Sequence, residues 1–196
     1  MSAAKNATLP AGLEDGRYVL FVSTIEPRKG HAMLLRVWTE LLAAGIPQAH
    51  SFKLVFVGRR GWMTDELQRT MAEDRRLAGS LVRLEGLEDA TLDLVYRRAA
   101  FCVYPSLYEG YGLPVVEAFA RGKAVLASSG GALAEVAAGY SPTLDPEDED
   151  AWFESLRSWI EDESARRPYE AAIARSFRAP TWETAAAQFF AATLAE

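Results

Sequence analysis

The sequence predicts an α/β protein built on a doubly wound parallel sheet. Short, nearly all-apolar runs recur along the chain, and helix-period patterns separate them. Continuous apolar runs suit strands covered on both faces, as parallel strands are. Strand–helix alternation of this kind closes through right-handed crossovers. Size agrees: 196 residues fall within the ~100–200 of a single domain, enough to bury a substantial core.

The strands are expected at residues 18–23 (YVLFVS), 52–57 (FKLVFV), 81–84 (LVRL), 101–104 (FCVY) and 124–127 (AVLA), each leading into Gly, Pro or Ser. Met33, Leu34, Val37, Leu41 and Leu42 recur at helical spacing and Gly45 stops them. Leu67 and Met71 mark a second helix starting near Thr64 or Asp65, and Leu92, Val95, Tyr96 and Ala99 mark a third. Pro114 opens a helix through Ala120 with Gly122 as its stop, and Leu133, Val136 and Ala137 give a short one after Gly130–Gly131. Beyond the acidic, turn-like residues 144–150 the pattern becomes helical only. Trp152, Phe153, Leu156, Trp159 and Ile160 form one stripe, and a second helix covers 168–177. A last helix from Thr181 carries Trp182, Ala186, Phe189, Phe190 and Leu194. Trp152, Trp159 and Trp182 read as core or interface packing, and Cys102 as a small buried hydrophobe.

Composition narrows the function. Hydrophobic residues make up 49% and charged residues 24%, as in ordinary soluble globular chains. The net charge of −6 argues against a nucleic-acid binder, which needs a basic surface. One cysteine excludes an intramolecular disulfide and argues against a Cys-based zinc site, and His31 and His50 lack metal-ligand spacing. No metal site is expected. No run approaches the ~18–20 apolar residues of a membrane span, and the first residues lack the apolar core of a signal peptide. The expected location is the cytoplasm, with peripheral membrane association of a full-length enzyme left open.

In doubly wound sheets ligands bind outside the carboxyl ends of the strands, so the residues just after each strand are where chemistry is expected. The first strand leads into Ser23-Thr24-Ile25-Glu26-Pro27-Arg28-Lys29-Gly30. Two cations at a helix start oppose the macrodipole unless an anion sits between them. The turn is therefore either a phosphate clamp or a solvated basic turn satisfied by Glu26. After the fourth strand comes Ser106-Leu107-Tyr108-Glu109-Gly110-Tyr111-Gly112-Leu113-Pro114, ending at a helix that carries Glu117. Gly110 and Gly112 allow a sharp turn and close approach of a ligand. The N–H groups of Gly112, Leu113 and Val115 are expected to form an anion site. Glu117, about one turn into the helix, can accept from a ribose diol; its alternative is a helix-dipole glutamate paired with Arg121. The turns at Gly58-Arg59-Arg60-Gly61-Trp62 and at Glu85-Gly86-Leu87 could line a base pocket or be ordinary connections.

These pieces together resemble the family 4 glycosyltransferases. Glu109 and Glu117 within YEGYGLPVVEAFARGKAVLAS look like that family's E-x7-E motif, and FVSTIEPRKGHAMLLRVW is similar to its first strand and phosphate-binding turn. LVFVGRRGW, LVRLEGL and YRRAAFCVYPSLYEG follow in the expected order, with Trp182 before a final helix. The resemblance covers nearly all of the chain from about Tyr18 and is strongest to bacterial mannosyl- and rhamnosyltransferase-like members that read EPRK at the first turn.

The resemblance implies a GT-B fold, two Rossmann-like domains with the active site between them. This chain matches the C-terminal, donor-binding half, with extra C-terminal helices. Residues 1–17 are then a leader or linker remnant and 18–196 the nucleotide-sugar-binding domain. The partner is a missing N-terminal acceptor-binding domain, and the isolated chain is expected to be inactive alone. The implied activity is retaining, metal-independent transfer of a hexose from a nucleoside-diphosphate sugar to a hydroxyl acceptor, in glycan or cell-surface polysaccharide synthesis. No cofactor is implied. GDP-mannose is the first expectation for the donor, from the EPRK-type turn, with UDP- and dTDP-sugars open. Carried over by position, Arg28 and Lys29 neutralise the leaving diphosphate and Glu109 contacts the donor sugar. The Gly110, Tyr111, Gly112 and Leu113 backbone holds sugar or distal phosphate, Glu117 binds ribose hydroxyls, and Gly58, Arg59 and Glu85 surround the base. One departure matters: many members carry Gly-Arg at the end of the first strand, where this chain has Ser23-Thr24. Thr24 then stands at a donor-binding position without the cation, and Arg28 substitutes or diphosphate binding is weaker.

Two other readings compete. A non-catalytic interaction or regulatory domain would keep the fold, but has no need of Arg28, Lys29, Glu109 and Glu117 together. A nucleotide-sugar epimerase-like domain would isomerise a sugar without transfer. If a domain has been removed, an exposed apolar patch is expected, with Phe189 and Phe190 as candidates for self-association.

Overall fold

The computed structural model describes residues 7–179. The expected last helix, with Trp182, Phe189 and Phe190, lies outside the described residues.

Six parallel strands form one sheet: β1 (Tyr18–Val22), β2 (Lys53–Val57), β3 (Leu81–Leu84), β4 (Phe101–Tyr104), β5 (Val125–Ser128) and β6 (Thr143–Leu144). Their order is β3-β2-β1-β4-β5-β6. The direction of winding therefore reverses between β1 and β4, which pair through Val19 with Phe101 and Leu20 with Cys102. That is the switch point at which ligands of such sheets bind. The sheet β1, β4 and β5 are buried almost throughout, as their continuous apolar runs demand; β3 is a half-buried edge.

The helices are α1 (His31–Ala43), α2 (Ile46–Ala49), α3 (Asp65–Glu73), α4 (Asp89–Arg98), α5 (Leu113–Ala120), α6 (Leu133–Ala137), α7 (Glu149–Glu161) and α8 (Arg167–Ser176). α1 packs on α2 and α7, while α5 packs on α6. Trp38 on α1 and Trp152 on α7 are fully buried, and each indole N–H keeps a partner, Ser80 Oγ at 2.8 Å and the Asp145 carbonyl at 2.9 Å. Burying a large side chain stabilises by roughly 1.5–3 kcal/mol only if its polar atom is not stranded. Asp148 caps α7 through the Ala151 N–H, so the acidic run opens that helix as its charge pattern suggests. Residues before β1 also touch the core: Leu13 is buried and the Gly16 N–H donates to the Arg98 carbonyl at 2.8 Å.

Several details depart from expectation. β1 ends one residue earlier than its apolar run, β2 and β5 begin one residue later, and α2 follows Gly45 where only a stop is expected. The C-terminal part contributes a sixth strand, β6, held by Ser129 N–H donating to the Leu144 carbonyl at 2.8 Å. A one-turn 3-10 helix (Pro27–Lys29) separates β1 from α1 and carries both cations of the first turn.

Candidate donor-binding site

The turns after β1 and β4 meet at the switch point. The Leu107 N–H donates to the Arg28 carbonyl at 2.8 Å, locking the two turns together. Gly30 makes this contact achievable. It is left-handed (φ 79°), and a Cβ there would lie 2.1 Å from the Pro105 carbonyl oxygen, a distance no side chain tolerates.

Lys29 is buried beneath this junction, and its ammonium donates to Glu109 Oε1 at 2.5 Å. The same oxygen accepts from the buried Ser106 hydroxyl at 2.8 Å, and Ser128 Oγ in turn donates to the Ser106 carbonyl. Arg28 reaches Glu109 Oε2 at 3.3 Å and the Tyr108 carbonyl at 3.2 Å, while its Nε donates to Glu26 at 3.1 Å. The structure thus brings Arg28, Lys29 and Glu109 into one network with Glu26 and Ser106. Both cations already have carboxylate partners, so the cluster is neutral rather than a bare positive clamp. An ammonium and a guanidinium together offer eight N–H donors by general chemistry, more than these contacts use, so an incoming anion can share them.

The helices that follow both turns begin without a side-chain cap: α1 after Gly30 and α5 after Gly112. Gly112 is left-handed (φ 88°), the conformation the start of α5 requires. The N–H groups of Gly112 and Leu113 have no backbone acceptor among the described residues. Val115 does not join them, because its N–H is closed onto the Gly112 carbonyl at 2.9 Å in a tight first turn. Gly110 is not held left-handed, and a Cβ there would meet open space. Its value is clearance in front of the turn rather than backbone freedom. Tyr111 and Leu113 are exposed beside it.

Glu117 stands apart from the cation network. It is exposed on α5, and its Oε2 accepts from the Tyr96 hydroxyl at 3.0 Å. The alternative pairing with Arg121 does not form between side chains. Arg121 donates instead to the Glu117 carbonyl and to Asp93, both at 2.9 Å.

The turn after β2 is tied to the turn after β1 by an Ile25–Arg60 bridge and by the Gly61 N–H on the Ile25 carbonyl at 2.9 Å. Gly58 packs against the Ser23 carbonyl and its N–H donates to the Leu84 carbonyl at 3.0 Å, so that N–H is not available to a base. Thr24 and Arg59 are exposed on these turns, and Arg60 pairs with Asp65. Glu85 is exposed after the edge strand and is not drawn into the Lys29–Glu109 network. A cavity of about 430 Å³ lined by Glu26, Pro27, Met63 and Thr64 adjoins the first turn. Another of about 400 Å³ lies between Gly30, Leu107 and Glu149.

His31, the first residue of α1, is buried against Phe21, with ring centroids 4.3 Å apart, and meets Phe56 edge-on. Among the described residues neither ring nitrogen has a hydrogen-bond partner. Burial pushes its pKa down to about 3; the Lys29 charge acts in the same direction and the nearby Glu26 backbone opposes it. It is a neutral core aromatic under the turn. Among the described residues no group of three or more His, Cys, Asp or Glu could hold a metal ion, and no helix is long and apolar enough to cross a membrane. Among the described residues the large exposed apolar side chains, Trp62, Met63, Leu107, Tyr108, Tyr111 and Leu113, sit on the turns after β2 and β4 or at the start of α5.

The family described as "Glycosyl transferases group 1" matches residues 10–175. O-antigen chain mannosyltransferase B of Escherichia coli is 32% identical over 171 residues, covering 87% of this chain and 44% of that protein. The chain therefore spans less than half the length of that relative. Among solved structures, the C-terminal domain of a group 1 glycosyl transferase, LpcC of Francisella tularensis, superposes with a TM-score of 0.65 at 21% identity over 79% of both chains. A mutant of S. aureus TarM in complex with fondaparinux, alpha-GlcNAc-glycerol and UDP gives 0.68 at 16% identity, over 87% of this chain and 33% of that one. The chain belongs to the group 1 glycosyl transferases and shares the fold of the C-terminal domain solved for LpcC.

Proposed function

We propose that this domain binds the nucleoside-diphosphate sugar of a retaining, metal-independent glycosyltransferase. GDP-mannose is the first candidate donor, in keeping with the E. coli mannosyltransferase relative, and an N-terminal domain supplies the hydroxyl acceptor. The observation that carries the reading is the buried Lys29–Glu109 pair, 2.5 Å apart at the switch point, between two uncapped helix starts. Such a place suits a diphosphate: fixed N–H groups and two cations face the charge that grows as the leaving group departs.

In the reaction the bond from the sugar's anomeric carbon to the diphosphate oxygen breaks and a bond to the acceptor oxygen forms on the same face. The acceptor's proton passes to the departing diphosphate oxygen. Arg28 and Lys29 stabilise that oxygen's charge, and Glu109 orients the sugar. Gly110, Tyr111, Gly112 and Leu113 line the sugar and distal phosphate. Glu117 accepts from the ribose hydroxyls. Thr24, Gly58, Arg59 and Glu85 belong to the outer turns that surround phosphate and base, with Gly58 contributing shape rather than a donor. The exposed apolar side chains around the turns suit a surface that faces a second domain.

The test is the affinity of Arg28→Ala and Lys29→Ala for nucleoside diphosphates against the matching monophosphates. Loss of a charge-assisted contact should weaken diphosphate binding by roughly tenfold or more and monophosphate binding much less. Equal effects on both would remove the diphosphate role from these cations.

A further inference from the structure

We infer that Tyr96 is a positioning residue that aims the Glu117 carboxylate at its ligand, with Tyr104 donating to Tyr96 from behind. This rests on the reading of Glu117 as the group that accepts from ribose hydroxyls.

The Tyr96 hydroxyl lies 3.0 Å from Glu117 Oε2 and 3.3 Å from the Tyr104 hydroxyl. Both rings are buried, Tyr96 on α4 and Tyr104 at the end of β4. A carboxylate only accepts, so Tyr96 donates to Glu117. With its one proton committed there, Tyr96 can only accept from Tyr104. The chain of bonds therefore runs one way, Tyr104 to Tyr96 to Glu117. Burial pushes both phenols above the usual tyrosine range, which keeps both protons in place.

Tyr96 is itself clamped. The Arg121 guanidinium lies 4.7 Å from its ring centroid, and Arg121 is held by Asp93 and by the Glu117 carbonyl. α4 and α5 are thus joined around the carboxylate. A glutamate on an exposed helix face would otherwise sample many rotamers, and ordering it would weaken binding. Here Oε2 is held from behind, and Oε1 has no protein donor among the described residues. A phenylalanine would fill the same core space, so packing does not call for the hydroxyl.

The experiment titrates the chain with GDP, UDP and their 2′,3′-dideoxy analogues. It compares wild type, Glu117→Ala, Tyr96→Phe and Tyr96→Phe/Tyr104→Phe. The double variant leaves no buried hydroxyl without a partner, which separates positioning from a folding defect. Tyr96→Phe and the double variant should each weaken the ribonucleotide about three- to tenfold. They should leave the dideoxy analogue unchanged and add nothing in a Glu117→Ala background. Equal weakening of both analogues would overturn the inference, as would full ribonucleotide affinity in Tyr96→Phe while Glu117→Ala weakens it. If Glu117→Ala has no effect, the ribose reading falls, and the inference with it.

Discussion

Replacing Glu109 by alanine strands a buried cation. The carboxylate accepts from Lys29 at 2.5 Å, from Ser106 at 2.8 Å and from Arg28 at 3.3 Å, and the Lys29 and Glu109 side chains are each only 11% exposed. Removing one partner of so dry a pair costs roughly 3–5 kcal/mol. Lys29 keeps a sliver of solvent exposure and can reorient, which favours the lower end, about 3 kcal/mol. The orphaned Ser106 hydroxyl adds about 1 kcal/mol. With an m value of about 2 kcal/mol/M, urea unfolding followed by tryptophan fluorescence should show a midpoint lowered by about 1.5–2 M. Glu109→Gln keeps an acceptor for Ser106 and Lys29 and should lose about half as much. Nucleoside-diphosphate affinity should move the other way or hold, because Arg28 and Lys29 no longer answer to Glu109. A loss of stability below about 1 kcal/mol, the range of solvated surface pairs, would refute the buried-pair argument.

The His31 prediction concerns pH. Its folded pKa, about 3, lies below its unfolded value of 6.5, so the unfolded chain binds the extra proton. The stability this represents is complete above pH 6.5 and is lost as pH falls towards 3, at about 1.4 kcal/mol per pH unit. Urea midpoints measured across that window should slope accordingly in wild type, and His31→Leu should flatten the slope; equal slopes would contradict the neutral buried imidazole. Gly30→Ala should destabilise by at least about 2 kcal/mol, since it combines a left-handed conformation with a clash on the Pro105 carbonyl. Thermal unfolding checks this, and an unchanged midpoint would mean the two turns do not meet as described. Gly110→Ala should change stability by less than about 0.5 kcal/mol, because a Cβ meets open space, yet weaken nucleotide-sugar binding. Calorimetry that finds undiminished affinity would move the sugar away from this turn.

Much of this architecture is legible in the chain. β1, β4 and β5 announce themselves because strands buried on both faces must be continuously apolar, α7 because a single stripe faces the core, and α1 because its apolar residues leave only the row Ala32, Arg36, Glu40 and Ala43 exposed. β6 was not legible. Two residues, Thr143 and Leu144, carry no period, and their pairing with β5 is fixed only once the sheet exists. At the site, Arg28, Lys29 and Glu109 stood out as polar groups at strand ends. Their mutual neutralisation did not, since it depends on β1 and β4 being neighbours across a long stretch of sequence. Ser106 and Ser128 gave no signal beyond being small polar residues after strands. Tyr96 and Tyr104 were hidden more deeply, because a tyrosine in an apolar stripe reads as core. Only the packing of α4 beside α5 shows that their hydroxyls end at Glu117. The expected Val115 donor failed for a local reason, a first helical turn that closes on Gly112. The alternative reading of Glu117, a side-chain pair with Arg121, does not form because Asp93, on a neighbouring helix, takes the Arg121 guanidinium.

The central claim, a donor site at the β1–β4 switch point, is tested most directly by calorimetric titration of the folded chain with GDP, UDP, ADP and dTDP, with and without Mg²⁺. The account predicts saturable binding of one nucleotide, unchanged when Mg²⁺ is chelated, and weakened about 10- to 150-fold by Glu117→Ala, the equivalent of roughly 1.5–3 kcal/mol. A folded chain that binds none of the four, or binds only with Mg²⁺, would contradict it.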